Sequence, residues 1–206
     1  LTVSNRDAKY QVNVRANSLT ATYDGTVKSV SGFEKETADG IPVTADGRTY
    51  YVTGLTSEAS GTKVADSKAT ITVEGTAVVK DTAGNDVTAQ FNVTATPGNL
   101  TINKRDVTLT SATLSKVYDG TALTNGTTAL ATETGWADGE GATYTFTGSQ
   151  TLVGNSANAF SYTLNSNTDA NNYTISKSEG TLTVSNRDAK YQVNVRANSL
   201  TATYDG

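Results

Sequence analysis

Tyr10-Gln11-Val12-Asn13-Val14 alternates large apolar or aromatic side chains with polar ones at every step. A period of two puts Tyr10, Val12 and Val14 on one face of an extended strand and the amides on the other. The stretch belongs to a longer segment, LTVSNRDAKYQVNVRANSLTATYDG, residues 1–25, which returns letter for letter as residues 182–206. Packing does not demand such identity, because cores accept many sequences of similar volume. A copied gene segment accounts for it, so the chain reads as a slice of a tandem array whose leader and anchor lie outside it. Arrays of this kind space, display or assemble.

The same period recurs in Ala69-Thr70-Ile71-Thr72-Val73 and in Ala142-Thr143-Tyr144-Thr145-Phe146-Thr147. Further strands are expected at 49–53, 91–96, 159–164, 173–177 and 181–184. Turn phrases separate them: Asp46-Gly47, Asp81–Asp86, Pro97-Gly98-Asn99, Asn125-Gly126 and Glu179-Gly180. No segment combines ten residues of helical period with caps.

A weaker repeat lies inside the long one. Tyr-Asp-Gly occurs at Tyr23–Gly25, Tyr118–Gly120 and Tyr204–Gly206, and the phrases PGNLTINKRD (97–106) and EGTLTVSNRD (179–188) match. Residues 1–5 then end a preceding unit, 6–104 form a long module A, 105–186 a short module B, and 187–206 the first strand of a next copy of module A. About seven short strands in 80–100 residues suit a small β-sandwich. The expected fold is all-β: two tandem immunoglobulin-like sandwiches without substantial helix. A β-grasp is the alternative, and it needs one real helix.

Module B reads KVYDGTALTNGT, then GWADGEGATYTFTGSQTLVGNSANAFSYTL, then NNYTISKSEGTLTV. In this order the three phrases resemble the YDG/MBG-type repeats of large bacterial cell-surface proteins, over nearly the whole module. Module A keeps the opening, ATYDGT, and the close, FNVTATPGNLTI, while its middle, SGFEKETADGIPVTADGRTYYVTG, departs. The resemblance implies an adhesin-like parent at the bacterial surface or cell wall, in which most repeats are stalk. Two functions follow as expectations. One is a semi-rigid spacer that projects a binding domain. The other is a module that recognises host glycoprotein, a glycan such as mucin, or immunoglobulin, with avidity from repetition.

Composition narrows the chemistry. The chain has no His and no Cys, which removes Ser-His-Asp, Cys-His and ordinary zinc constellations. Thr is the commonest residue, at 38 of 206, and the net charge of −4 provides no basic face for nucleic acid or an anionic membrane. No enzyme activity and no cofactor is expected. The carboxylates of Trp136-Ala137-Asp138-Gly139-Glu140-Gly141 read as solvated hairpin tips. Asp81-Thr82-Ala83-Gly84-Asn85-Asp86 resembles a calcium loop in its oxygen side chains but lacks the spacing and the terminal Glu, so a hairpin turn is expected and no metal. In Tyr-Asp-Gly the Tyr is expected to anchor the core edge, its hydroxyl on backbone, with Asp bonding the turn and Gly supplying positive φ.

Candidate ligand contacts are Tyr50, Tyr51 and Trp136. Trp136 follows a Gly as Phe33 does, which suggests packing. Tyr50 and Tyr51 are neighbours on a strand and face opposite sides, so one of them is exposed. The expected core comprises Val12, Val14, Leu19, Tyr23, Ile71, Val73, Val93, Leu100 and Ile102 in module A. In module B it comprises Leu109, Leu114, Tyr118, Tyr144, Phe146, Phe160, Tyr162, Tyr173, Ile175, Leu182 and Val184. No Gly/Ser or Pro spacer separates Ile102 from Val107 or Val184 from Ala189, so the joints are expected to be stiff. The tail 187–206 is expected to be extended and held, either on module B's end or on a neighbouring molecule.

Overall fold

The computed structural model describes residues 8–206. The preceding strand end assigned to residues 1–5 lies outside them. About 51% of the chain is strand. Helix among the described residues amounts to three 3₁₀ turns, Val64–Asp66, Thr88–Gln90 and Ala170–Asn172. The protein is all-β, and the described residues hold no helix of the kind a β-grasp requires.

The described residues form twenty strands in order. The first ten are β1 Tyr10–Arg15, β2 Leu19–Thr22, β3 Lys28–Ser31, β4 Ile41–Ala45, β5 Arg48–Thr56, β6 Glu58–Gly61, β7 Lys68–Ile71, β8 Glu74–Lys80, β9 Phe91–Thr96 and β10 Gly98–Asn103. The second ten are β11 Arg105–Thr110, β12 Leu114–Val117, β13 Leu123–Thr124, β14 Thr132–Thr134, β15 Ala142–Phe146, β16 Ser149–Gln150, β17 Gly154–Ala157, β18 Phe160–Leu164, β19 Tyr173–Ser178 and β20 Thr181–Ser185. Eight of them, β1, β5, β7, β9, β15, β18, β19 and β20, coincide with the strands expected from the sequence, where alternation marks one buried face.

The first compact unit comprises the described residues up to Leu109 together with Glu133–Thr143 and Tyr162–Lys177. Its core gathers Val12, Val14, Phe33, Val43, Val52 and Phe91, among others. β1 runs parallel to β9 from Tyr10↔Phe91 to Arg15↔Thr96. β2 runs parallel to β10, whose other edge pairs antiparallel with β7. A parallel pair needs a long crossover, and roughly eighty residues of strand and loop supply it here. β4, β5 and β8 form an antiparallel sheet, and Asp46-Gly47, both at positive φ (50° and 71°), turns the β4–β5 hairpin. That hairpin is the divergent middle of module A.

The second unit comprises Thr110–Thr132, Tyr144–Ser161 and Ser178–Gly206. Its central sheet repeats the plan of β2-β10-β7: β12 runs parallel to β20, which pairs antiparallel with β17. Leu182 and Val184 are buried on it. Asn158, fully buried, ties its crossing point. Its Nδ2 donates to the Ala112 carbonyl at 2.8 Å and to Asn125 Oδ1 at 2.6 Å.

Gly98 opens β10 and Gly180 immediately precedes β20, and neither sits in a turn. A Cβ on Gly98 would lie 2.0 Å from the Asn17 carbonyl oxygen, and one on Gly180 2.4 Å from that of Ala112. Close backbone approach, not a left-handed φ, requires glycine at both.

Most of the expected core is buried, with corrections. Leu19, Val73, Val93, Leu114, Tyr144, Phe146, Tyr162 and Ile175 are half-buried: Val73 lies in the link between β7 and β8, and the others stand on strands with one unpaired edge. Tyr118 is half-buried too, where a core position was expected. Residues 186–206 form no strand and are exposed, so the expected docking on module B's end is not made within the chain. Tyr10–Arg15 is a strand because it pairs with Phe91–Thr96, and the chain holds no second copy of that partner.

Candidate functional site: a carboxylate shared by two tyrosines

Tyr23 follows β2 and is only 4% exposed. Its backbone N–H donates to the Asn103 carbonyl at 2.9 Å, which extends the β2–β10 ladder by one rung. The next three residues make a closed turn. Asp24 Oδ1 accepts from the Thr26 N–H at 2.9 Å and the Thr26 hydroxyl at 2.6 Å, and Lys28 Nζ lies 2.5 Å from Asp24 Oδ2. The Lys28 ammonium and the Thr26 donors hold the Asp24 carboxyl well below the usual carboxylate range. Gly25 takes φ 81°, with Ala137 within contact distance of where a Cβ would stand.

The second Tyr-Asp-Gly is built alike. The Tyr118 N–H donates to the Ser185 carbonyl at 2.9 Å. Asp119 Oδ1 accepts from the Thr121 N–H at 2.9 Å and hydroxyl at 2.8 Å, Lys116 Nζ lies 2.7 Å away, and Gly120 takes φ 83°. The motif is therefore a turn with an Asx hydrogen bond and a left-handed glycine, as read from the sequence.

The hydroxyl of Tyr23 departs from expectation. It donates to the Glu140 carboxylate, not to backbone. The other oxygen of Glu140 accepts from the Tyr173 hydroxyl at 2.7 Å, and the Ala137 N–H donates to that same Tyr173 oxygen at 3.1 Å. The two phenol rings meet edge to face, and Trp136 packs on Tyr173 with centroids 5.0 Å apart at 74°. Glu140 is half-buried and holds two phenols, so it is not the solvated tip that its Asp-Gly-Glu-Gly phrase suggested. All of these residues belong to the first compact unit.

The loop that carries Glu140 is tied down. The Gly141 N–H donates to Thr168 Oγ1 at 2.9 Å, and Asn167 Nδ2 donates to the Gly139 carbonyl at 2.9 Å. Asn172, 1% exposed, accepts the Val64 N–H at 3.1 Å. Burial, and then the Glu140 carboxylate, raise the Tyr23 hydroxyl from 10.0 to about 12 and push Tyr173 up in the same way. Both phenols therefore stay protonated and donate. The arrangement works as a clamp.

The three candidate contact residues do not form one site. Trp136 is half-buried in the clamp. Tyr50 packs on Phe91 at 4.8 Å, beside Tyr10, whose hydroxyl donates to Asp46 at 3.3 Å. Tyr51 takes the opposite face of β5 and lines a groove with Asp39, Thr53, Lys80 and Asp81. Asp81 Oδ1 accepts from the N–H groups of Ala83 and Asn85, each at 2.9 Å, which makes 81–86 a closed hairpin turn. Sequence reasoning missed Glu140 as a functional residue, and the available signal was an acid four residues after the only Trp. Of the four Asn-x-Thr sequons at Asn92, Asn99, Asn125 and Asn172, the last two are buried.

Comparison with protein-family models, with curated proteins and with solved structures finds no match.

Proposed function

We propose that this chain is a stalk segment of a bacterial surface adhesin of the YDG/MBG-repeat type, a semi-rigid extracellular spacer built from two tandem immunoglobulin-like modules. The observation that carries this reading is the Glu140 clamp on Tyr23 and Tyr173. It links the signature Tyr of the first repeat to the aromatic and acidic side chains of the second. The joint supports it as well, since only Lys104 separates β10 from β11. A single linking residue leaves few torsions for bending, and a pair of part-buried charge-assisted hydrogen bonds resists opening.

Small-angle scattering of the chain and of Glu140→Ala tests the reading. A narrow distribution of sizes that broadens in the variant, with its circular dichroism retained, is the expected result. An equally broad distribution in both would overturn the spacer.

A second reading, recognition of host glycoprotein, mucin-type glycan or immunoglobulin, is favoured by the groove beside Tyr51, where an aromatic edge stands with Asp39 and Lys80. Glycan-array and immunoglobulin pull-down binding that disappears in Tyr51→Ala is the expected outcome there.

A further inference from the structure

We infer that the end of the second unit formed by Val117, Tyr118, Leu152 and Val153 is a docking surface for the opening end of a further copy of residues 6–104, the end that carries Tyr10, Tyr50 and Phe91. The inference rests on the spacer reading.

The surface is apolar and open. Val117 is 54% exposed, Leu152 69% and Val153 47%, while Tyr118 is half-buried. Its hydroxyl has no hydrogen-bond partner among the described residues. The strand register gathers these side chains at one end: Val117 stands opposite Ser185 and Gly154 opposite Val184, both at the finish of β20. Large aliphatic side chains grouped in this way on a soluble domain mark a contact surface.

The first repeat shows what such an end does when it is covered. Tyr23 holds the position in β2-β10 that Tyr118 holds in β12-β20, with the same backbone hydrogen bond and the same Asp-Gly turn. Val64, in the connection between β6 and β7, corresponds to Leu152 and Val153, between β16 and β17. Tyr23 meets Glu140 and Tyr173, and the Val64 N–H meets Asn172. Both elements of that end are therefore engaged by the residues at and just before β19.

The occupant follows from the repeat. Residues 182–206 restate residues 1–25, so the end of β20 leads into the opening of another module A. In module A the place of Asn172-Tyr173 is taken by Gln90-Phe91. Each pair closes a 3₁₀ turn and opens the strand that pairs with the module's first strand. Half-buried Tyr10 and Tyr50 pack over the buried Phe91, and Asp46 receives the Tyr10 hydroxyl, so this end presents two tyrosines beside a carboxylate, side chains of the kind that hold Tyr23. Tyr204 lies in the third copy of the motif and would open the same sequence of contacts again.

The test extends the 206-residue chain by a second copy of residues 26–104 and compares hydrogen exchange with the original chain. Residues 117–122 and 150–154 are expected to exchange about tenfold more slowly or better in the extended chain. Leu152→Ser in the extended chain should erase that gain without unfolding the second unit, because the side chain it alters is exposed. Equal protection in the two chains, or protection that survives Leu152→Ser, overturns the inference. Tyr23→Ala in the extended chain separates it from its premise. If residues 133–141 lose no protection, the spacer reading itself fails. If they do, and residues 117–122 show no gain, only the second joint is refuted.

Discussion

Tyr23 and Tyr173 meet edge to face, their ring centroids 5.4 Å apart and their planes at 85°, although 150 positions separate them in the chain. Glu140 accepts both hydroxyls, so the pair is joined by ring packing and by charge-assisted hydrogen bonds.

The two signature tyrosines should respond differently to truncation. Tyr23 is buried and hydrogen-bonded, so Tyr23→Ala should cost about 3–5 kcal/mol. Tyr118 is half-buried and its hydroxyl has no partner among the described residues, so Tyr118→Ala should cost about 1 kcal/mol, the ordinary scale of a point substitution. Urea denaturation of both variants checks the contrast, and equal losses would contradict it.

Alkaline pH should loosen the clamp. Below pH 10 the Tyr23 hydroxyl keeps its proton whether the chain is folded or unfolded. Between 10 and about 12 the unfolded chain releases it and the folded chain does not, so stability falls as pH rises through that window. The raised Tyr173 hydroxyl adds to the fall with the same sign. Denaturation midpoints measured from pH 9 upward should drop less steeply in Tyr23→Phe than in the parent chain.

Gly98→Ala and Gly180→Ala should each destabilise by about 2 kcal/mol or more, since the added methyl meets a backbone carbonyl that cannot rotate away. Gly126→Ala or Gly139→Ala should cost about 1 kcal/mol, since both keep a positive φ but face open space. Thermal melts of the four variants should rank in that order.

Asn158 should be the most sensitive polar residue of the second unit. Asn158→Ala strands the Ala112 carbonyl and the Asn125 amide oxygen in a buried site, at about 1–3 kcal/mol for each group left unpaired. Asn125→Ala removes only one of these partners, so its midpoint should fall less.

The alternation of Tyr10–Val14 and of Ala142–Phe146 was enough to assign strands, because a period of two reports directly on a chain with one buried face. The Asp-Gly turns were legible for a similar reason: a short polar side chain closes its own backbone loop, and glycine alone enters positive φ at no steric cost. These are local matters, and the sequence by itself determined them, together with the internal copy of residues 1–25. The parallel pairing of β1 with β9 and of β2 with β10 was not legible, because nothing within either strand encodes which distant edge it joins. Glu140 looked like a solvated hairpin acid, and Tyr118 looked as buried as Tyr23. Only the tertiary structure separated these cases, by carrying the loop 135–141 onto Tyr23 and leaving Tyr118 half-open. The burial of an aromatic or a carboxylate depends on what long-range contacts bring against it, and a window of neighbouring residues holds no record of that.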